Sequence, residues 1–280
     1  MLRRLLLVLL VLPFVAHAQE QRTDPQAELR KLNWQEGPSK GSVGEKATID
    51  VPAGYVFLGD RDTSRFIQLV GNPPPQQSHY LIAPKSLDWF AVFSFDATGY
   101  IKDDEKIDPE ALLKSLKEGD APQNEERKRL GMHAMYTDGW AVTPHYDPET
   151  KRLEWGVRLR SEDGRMNVNY TSRILGRSGV MRAVLVSDVA SLDKDTKEFK
   201  SALQKFTYNS GETYAEFKAG DKVAEYGLAA LILGGAAAVA TKKGFWGVLA
   251  GFFAAFWKVI AGVAVAAIAA LRSLFKKKSQ

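Results

Sequence analysis

The densest set of groups that could do chemistry is Asp103-Asp104-Glu105, with Asp108 close behind. Carboxylates in that number suit a hard divalent cation, which takes oxygen ligands. Successive residues seldom converge on one ion, however, and the spaced Asp-x-Asp-x-Asp-Gly loop that achieves convergence is missing. The cluster therefore reads as a solvated loop leading into a helix, and we expect no metal centre. His145 is the other acid-base candidate; with Asp103, Asp104 and Glu105 it could supply the general acid and base of a hydrolase. No histidine lies in a His-x-x-x-His pair, so zinc-hydrolase spacing is missing as well. The Asp147-Pro148 that follows His145 is ordinary turn chemistry. The chain has no cysteine, no Gly-x-Ser-x-Gly elbow and no glycine-rich phosphate loop, and we expect no cofactor.

Two groups of residues could bind rather than react. Arg173 and Arg177 flank the turn Gly176-Arg177-Ser178-Gly179, and with Arg158, Arg160, Arg165 and Arg182 they offer guanidinium groups to anionic headgroups or glycans. On alternate strand positions such arginines more often line a solvated sheet face. Trp140 and Trp155 fall on consecutive strands around one bend, where they could be near cross-strand partners and form a stacking platform. Core packing is the default for such rings.

The elements that must position these residues make an α+β body. A hairpin-like pair is expected from Ala47–Val51 and Tyr55–Leu58, then a short helix from Asp62 to Val70. Trp89 to Phe95 is apolar on both faces, as a central strand requires. Asp108-Pro109-Glu110 has the composition of a helix start, with Asn124–Arg129 as a further charged helical stretch. Residues 136–144, 153–160, 165–175 and 180–188, separated by short polar turns, predict an antiparallel meander. An amphipathic helix over 192–206 can cover it. The expected class is thus one antiparallel sheet, a meander in its second half, with packed helices and C-terminal membrane helices.

The two ends fix the expected location. Arg3-Arg4, an apolar run to Val15 and Ala16-His17-Ala18 have the parts of a signal peptide over residues 1–18. We then expect a leader over 19–45, an exported globular domain over 46–210 and a juxtamembrane linker over 211–225. Residues 226–280 contain no Asp or Glu. The apolar segment 226–240 makes only ~22 Å of helix, too short to span alone, and would be interfacial, re-entrant or paired. The segment 244–271 can span with tilt, with Trp246 and Trp257 as interfacial rings and Lys258 as an interruption. Arg272, Lys276, Lys277 and Lys278 in the basic tail 272–280 favour a single span with the terminus inside, and the paired apolar stretches favour a hairpin. The whole chain carries 38 basic and 33 acidic residues, net +5. Nine of the basic residues lie in the two acid-free ends, so residues 19–225 are net −4. Apparent basicity therefore belongs to membrane targeting, and nucleic-acid binding is not expected.

An ordered set of motifs carries a resemblance: Leu32-Asn33-Trp34, Pro52-Ala53-Gly54-Tyr55, Gly71-Asn72-Pro73, Gly99 to Glu105, Asp138-Gly139-Trp140, Pro144-His145-Tyr146-Asp147, Asn169 to Arg173 and Gly220-Asp221-Lys222. Over nearly all of the mature chain it resembles the DUF2167 family of bacterial membrane-anchored proteins. The resemblance implies a bacterial inner-membrane protein with its main domain on the periplasmic side, and it brings no catalytic residues. The expected function is a non-enzymatic domain that engages another envelope protein or an envelope polymer. Two further readings are a polymer hydrolase using Asp103 to Glu105 and His145, and a scaffold that oligomerises through its membrane helices around Gly234-Gly235.

Overall fold

The computed structural model describes residues 25–70, 72 and 74–234. In chain order these form α1 (Pro25–Arg30), β1 (Gln35–Glu36), β2 (Ser39–Val43), β3 (Ala47–Val51), β4 (Tyr55–Leu58), α2 (Asp60–Leu69), β5 (Tyr80–Pro84), β6 (Phe90–Asp96), α3 (Pro109–Arg129), β7 (Met135–Asp147), β8 (Arg152–Ser161), β9 (Met166–Leu175), β10 (Val180–Asp188), α4 (Leu192–Leu203), β11 (Phe206–Tyr208) and α5 (Leu228–Ile232). The signal-peptide residues 1–18, and Trp246, Trp257, Lys258, Arg272 and Lys276–Lys278, lie outside the described residues. Among the described residues no helix is long and apolar enough to cross a membrane.

Eight strands make one antiparallel sheet in the order β1-β4-β5-β6-β10-β9-β8-β7. The expected meander is present as β7 to β10, joined by short turns. Strand β6, apolar on both sides, lies between β5 and β10. A correction concerns the rest of the sheet architecture. Ala47–Val51 and Tyr55–Leu58 are not paired with each other: β4 joins the large sheet, while β3 pairs with β2 and β11 in a second, three-stranded sheet. Residues Ser39–Val43 therefore belong to the folded body rather than to a leader.

The second sheet exists because one face of the large sheet needs a cover. Val43, Ile49 and Val51 from the small sheet, with Phe199, Ala202 and Leu203 from α4, close over Phe57, Ile82, Ala91, Phe93, Tyr170, Ala183 and Leu185. Period-two alternation on the strands and helical spacing on α4 put these side chains on facing surfaces. Trp89 lies at the centre of this core, edge-on to Tyr55 and Phe199, and its indole N–H donates to Glu198 at 2.9 Å. Tyr208 is buried and its hydroxyl bridges two strands, donating to the Ile174 carbonyl at 2.7 Å and accepting from the Met181 N–H at 2.8 Å.

On the other face the covers are partial. A cluster of Leu32, Val56, Leu58, Phe66, Leu81 and Ala83 seats α1 and α2 over β4 and β5. A cluster of Ile101, Leu112, Leu153, Trp155, Leu175, Val180, Tyr214, Leu228 and Leu231 seats the start of α3 and α5 against the lower meander. α3 is one helix, not the two stretches that Gly119 and Pro122 suggest. Tertiary anchoring outweighs the two helix breakers. Asp120 accepts from the N–H and hydroxyl of Thr137 at 2.7 and 2.8 Å, and the Asn124 amide pairs with the Met135 backbone at 2.8 Å in both directions. Asp108 caps the helix, accepting from Glu110 and Ala111 N–H, and Pro109 fills its first turn as expected.

One buried carboxylate ties α4 to the sheet. Glu154 Oε2 accepts from Lys200 Nζ at 2.9 Å and from the Tyr170 hydroxyl at 2.9 Å. Burial pushes this carboxyl up, but the bonds from Lys200 and Tyr170 outweigh burial and hold it below the usual carboxylate range. A depressed folded-state pKa contributes stability above the unfolded value, about 4.3 for Glu, and that contribution is lost as pH falls through the folded value. Glu154→Gln should therefore lower the thermal midpoint at neutral pH, with the deficit shrinking below pH ~4; a deficit independent of pH would contradict the assignment. Tyr208→Phe should cost about 1–3 kcal/mol, because it leaves a buried N–H and carbonyl without their bridge; equilibrium unfolding in denaturant measures it.

Candidate functional site

The partial covers leave an open floor between α2 and α3 on the large sheet. It forms a groove of about 1650 Å³ whose floor is β6, β10, β9 and β8. Register sets its chemistry in rows. Ser94, Arg182 and Arg173 lie side by side, then Val92, Val184, Thr171 and Trp155, then Phe90, Val186, Asn169 and Val157. Valines and Phe90 thus make apolar columns on β6 and β10, with Arg182 at one end. β9 presents a polar column of Asn167, Asn169, Thr171 and Arg173. The alternation that puts these residues on one face was visible in the sequence. That the face is enclosed between helices was not, because it depends on where α2 and α3 dock.

The arginine row holds more positive than negative charge. Arg173 is 5% exposed, pairs with Asp96 and reaches the Leu231 carbonyl at 3.5 Å. Its Nε is buried and has no partner. Arg182 sits directly opposite Arg173 and, among the described residues, makes neither a hydrogen bond nor an ion pair. Arg182 is exposed to solvent in the open groove. Desolvation, together with the charge of Arg173, holds its pKa below the usual arginine range, and Asp96 offsets this only in part.

The acidic cluster serves another purpose. Asp103 accepts from the Tyr146 hydroxyl at 2.7 Å and from Lys151 Nζ at 2.8 Å. Burial pushes its carboxyl up, but these bonds leave it below the usual range, and the Tyr146 hydroxyl is raised by burial and by Asp103. Glu105 accepts the Ala229 N–H at 2.9 Å and sits against Gly227, where an added Cβ would lie 2.3 Å from the carboxylate. Asp104 is exposed. Among the described residues no group of three or more His, Asp or Glu could hold a metal ion. His145 does not meet these acids. It immediately precedes Tyr146, so the two point to opposite sides of β7, and its Nε2 lies 3.5 Å from Glu154 on the other side of the sheet.

The remaining candidates also have structural partners. Trp140 is half-buried and donates to the Pro109 carbonyl at 3.0 Å, and Trp155 is buried beneath the α5 cluster. Their rings are not directly opposed, since Trp140 pairs with Val157 and Trp155 with Thr171. Arg177 forms a two-point clamp on Asp221, with both contacts at 2.7 Å. Arg177 first, and then the Lys218 N–H, outweigh the opposing effect of desolvation and hold the Asp221 carboxyl at about 2. Around that clamp residues 211–225 are fastened to the body. Thr213 bridges to Gly176, Val223 pairs with Tyr100, and Glu216 accepts from the Gly211 and Thr213 N–H groups. The Tyr214 ring stacks on Tyr100 at 4.4 Å, and its hydroxyl donates to the Ile101 carbonyl at 2.9 Å. Gly99 makes the approach possible: its φ is +93°, and an added Cβ would lie 2.6 Å from the Lys222 carbonyl oxygen.

No curated protein matches the chain. A solved structure similar to part of it is the solution structure of cyanobacterial PsbP (CyanoP) from Synechocystis sp. PCC 6803. The likeness has a TM-score of 0.36 at 9% identity and covers 61% of this chain and 92% of that one. The model of the family described as a protein of unknown function, DUF2167, matches residues 35–269, and the chain belongs to that family.

Proposed function

We propose that this chain is a non-enzymatic binding domain, tethered by its C-terminal apolar segment at the periplasmic face of a bacterial inner membrane, and that the groove is where it engages an envelope component. One observation carries the reading. Arg182 presents an exposed guanidinium on the floor of a large groove, directly opposite Arg173, and among the described residues it has no ion-pair partner, so two like charges lie side by side where an anion could join them. Binding is favoured over hydrolysis because Asp103 and Glu105 hold the chain together, while His145 lies by Glu154 on the other side of the sheet. The signal-like start, the acid-free residues 226–280 and the net −4 of residues 19–225 support the location.

Two measurements test it. A photoreactive residue placed at Asn169 of the full chain in cells should give a defined adduct, whereas one at Lys40 on the small sheet should give little. Equal yields from both positions would remove the groove from the reading. The chain contains no cysteine, so single-cysteine labelling has no background. A cysteine at Lys40 should react with an impermeant reagent from the exported side, and reaction only after lysis would overturn the location. In the same assay labelling of Ser279→Cys from the exported side would exclude a single span.

A further inference from the structure

We propose that the groove takes one anionic lipid, its phosphate held by Arg182 and Arg173 and its acyl chain lying along Phe90, Val92, Val184 and Val186. This rests on the binding-domain reading above and names the ligand class of that same groove.

The headgroup end follows from charge and register. Arg182 and Arg173 are direct cross-strand partners on one face, an arrangement of like charges that destabilises a sheet unless an anion joins it. Asp96 supplies one carboxylate and is engaged by Arg173. The other acid on this floor, Asp188, sits at the far end of β10, six residues from Arg182. What remains is the guanidinium fork of Arg182 and the buried, unpartnered Nε of Arg173. Planar guanidinium groups match phosphate oxygens, with two parallel bonds per fork.

The rest of the floor argues for a chain attached to that phosphate. Beyond the arginine row, Val92 opposes Val184 and Phe90 opposes Val186. From Arg182 to Val186 the strand advances about 14 Å, a length of apolar surface that a free phosphate or a sugar would leave bare. A fatty chain covers it. The protein's own tail does not satisfy the site, because residues 226–280 contain no acidic side chain to answer Arg182.

Placement points the same way. The Leu231 carbonyl touches Arg173, and Gly234 lines the groove, so the described chain ends beside the arginine row. With the anchor expected to begin at residue 244, the ten residue steps from Gly234 reach at most about 35 Å. The arginine end therefore stays within reach of lipid headgroups.

The test uses the full chain reconstituted in phosphatidylcholine vesicles doped with a photoactivatable phosphatidylglycerol. Adducts should map to residues 90–94 and 180–188. Arg182→Gln should reduce them at least tenfold without lowering the thermal midpoint of the lipid-free protein, since among the described residues Arg182 has no hydrogen bond or ion pair to lose and its removal relieves the like-charge contact with Arg173. Val184→Asn should reduce them several-fold. A photoactivatable phosphatidylcholine should label residues 244–271 and leave the groove unlabelled. Equal groove labelling by both lipids, or wild-type labelling of Arg182→Gln, would overturn the proposal. Displacement by inorganic phosphate at matched concentration would remove the acyl chain from it while leaving an anion-binding groove. A groove that gives adducts in cells from Asn169 but none with either lipid would overturn the lipid alone and leave the binding-domain reading intact. Silence in both assays would end both.

Discussion

An eight-stranded sheet has two faces, and the fold is the outcome of covering them unequally. One face is sealed by the small sheet and α4, which bury Trp89, Phe93, Phe199 and their neighbours. The other is covered only at its sides, by α1 and α2 over β4 and β5 and by the start of α3 with α5 over the lower meander. Every other feature of the molecule follows from that asymmetry. The sealed face carries the stability, since burial of large apolar and aromatic side chains is the main favourable contribution to folding. The half-covered face carries the groove.

Much of this was legible in the alternation of side chains. The four strands of the meander, the central strand at β6 and the capped start of α3 all follow from period-two patterning, apolar content on both faces and Asp108-Pro109. Pairing across long sequence distances was not legible. β3 looks like the partner of β4 because they are adjacent in sequence, yet β11 arrives from residues 206–208 to pair with it. Local pattern specifies a strand and its inward face, while the choice of sheet is made by tertiary burial. The same is true of α3, where Gly119 and Pro122 are local breakers and Asp120 and Asn124 are tertiary anchors.

The candidate residues divide along the same line. Charge density singled out Asp103 to Glu105, but clustering in sequence says nothing about convergence in space. These carboxylates diverge, one to Tyr146 and Lys151 and another to the Ala229 backbone. Trp140 and Trp155 prove to be packing residues of the second core. Arg173 and Arg177 flank one turn but have different roles, one on the groove floor and one clamping Asp221. What no local pattern could supply is Asp96, remote in sequence, whose single carboxylate faces two guanidinium groups.

The fastening of residues 211–225 has a mechanical side. A loose linker would let the body swivel about its attachment, as flexible segments do. Here Arg177 on Asp221, the Tyr100–Val223 bridge, Glu105 on Ala229 and Arg173 on Leu231 hold the chain at four successive points. A pull applied beyond Gly234 is delivered straight to the strands of the large sheet. The residues up to Gly234 are thus part of the folded body, and a load on them is borne by the sheet rather than by a slack segment.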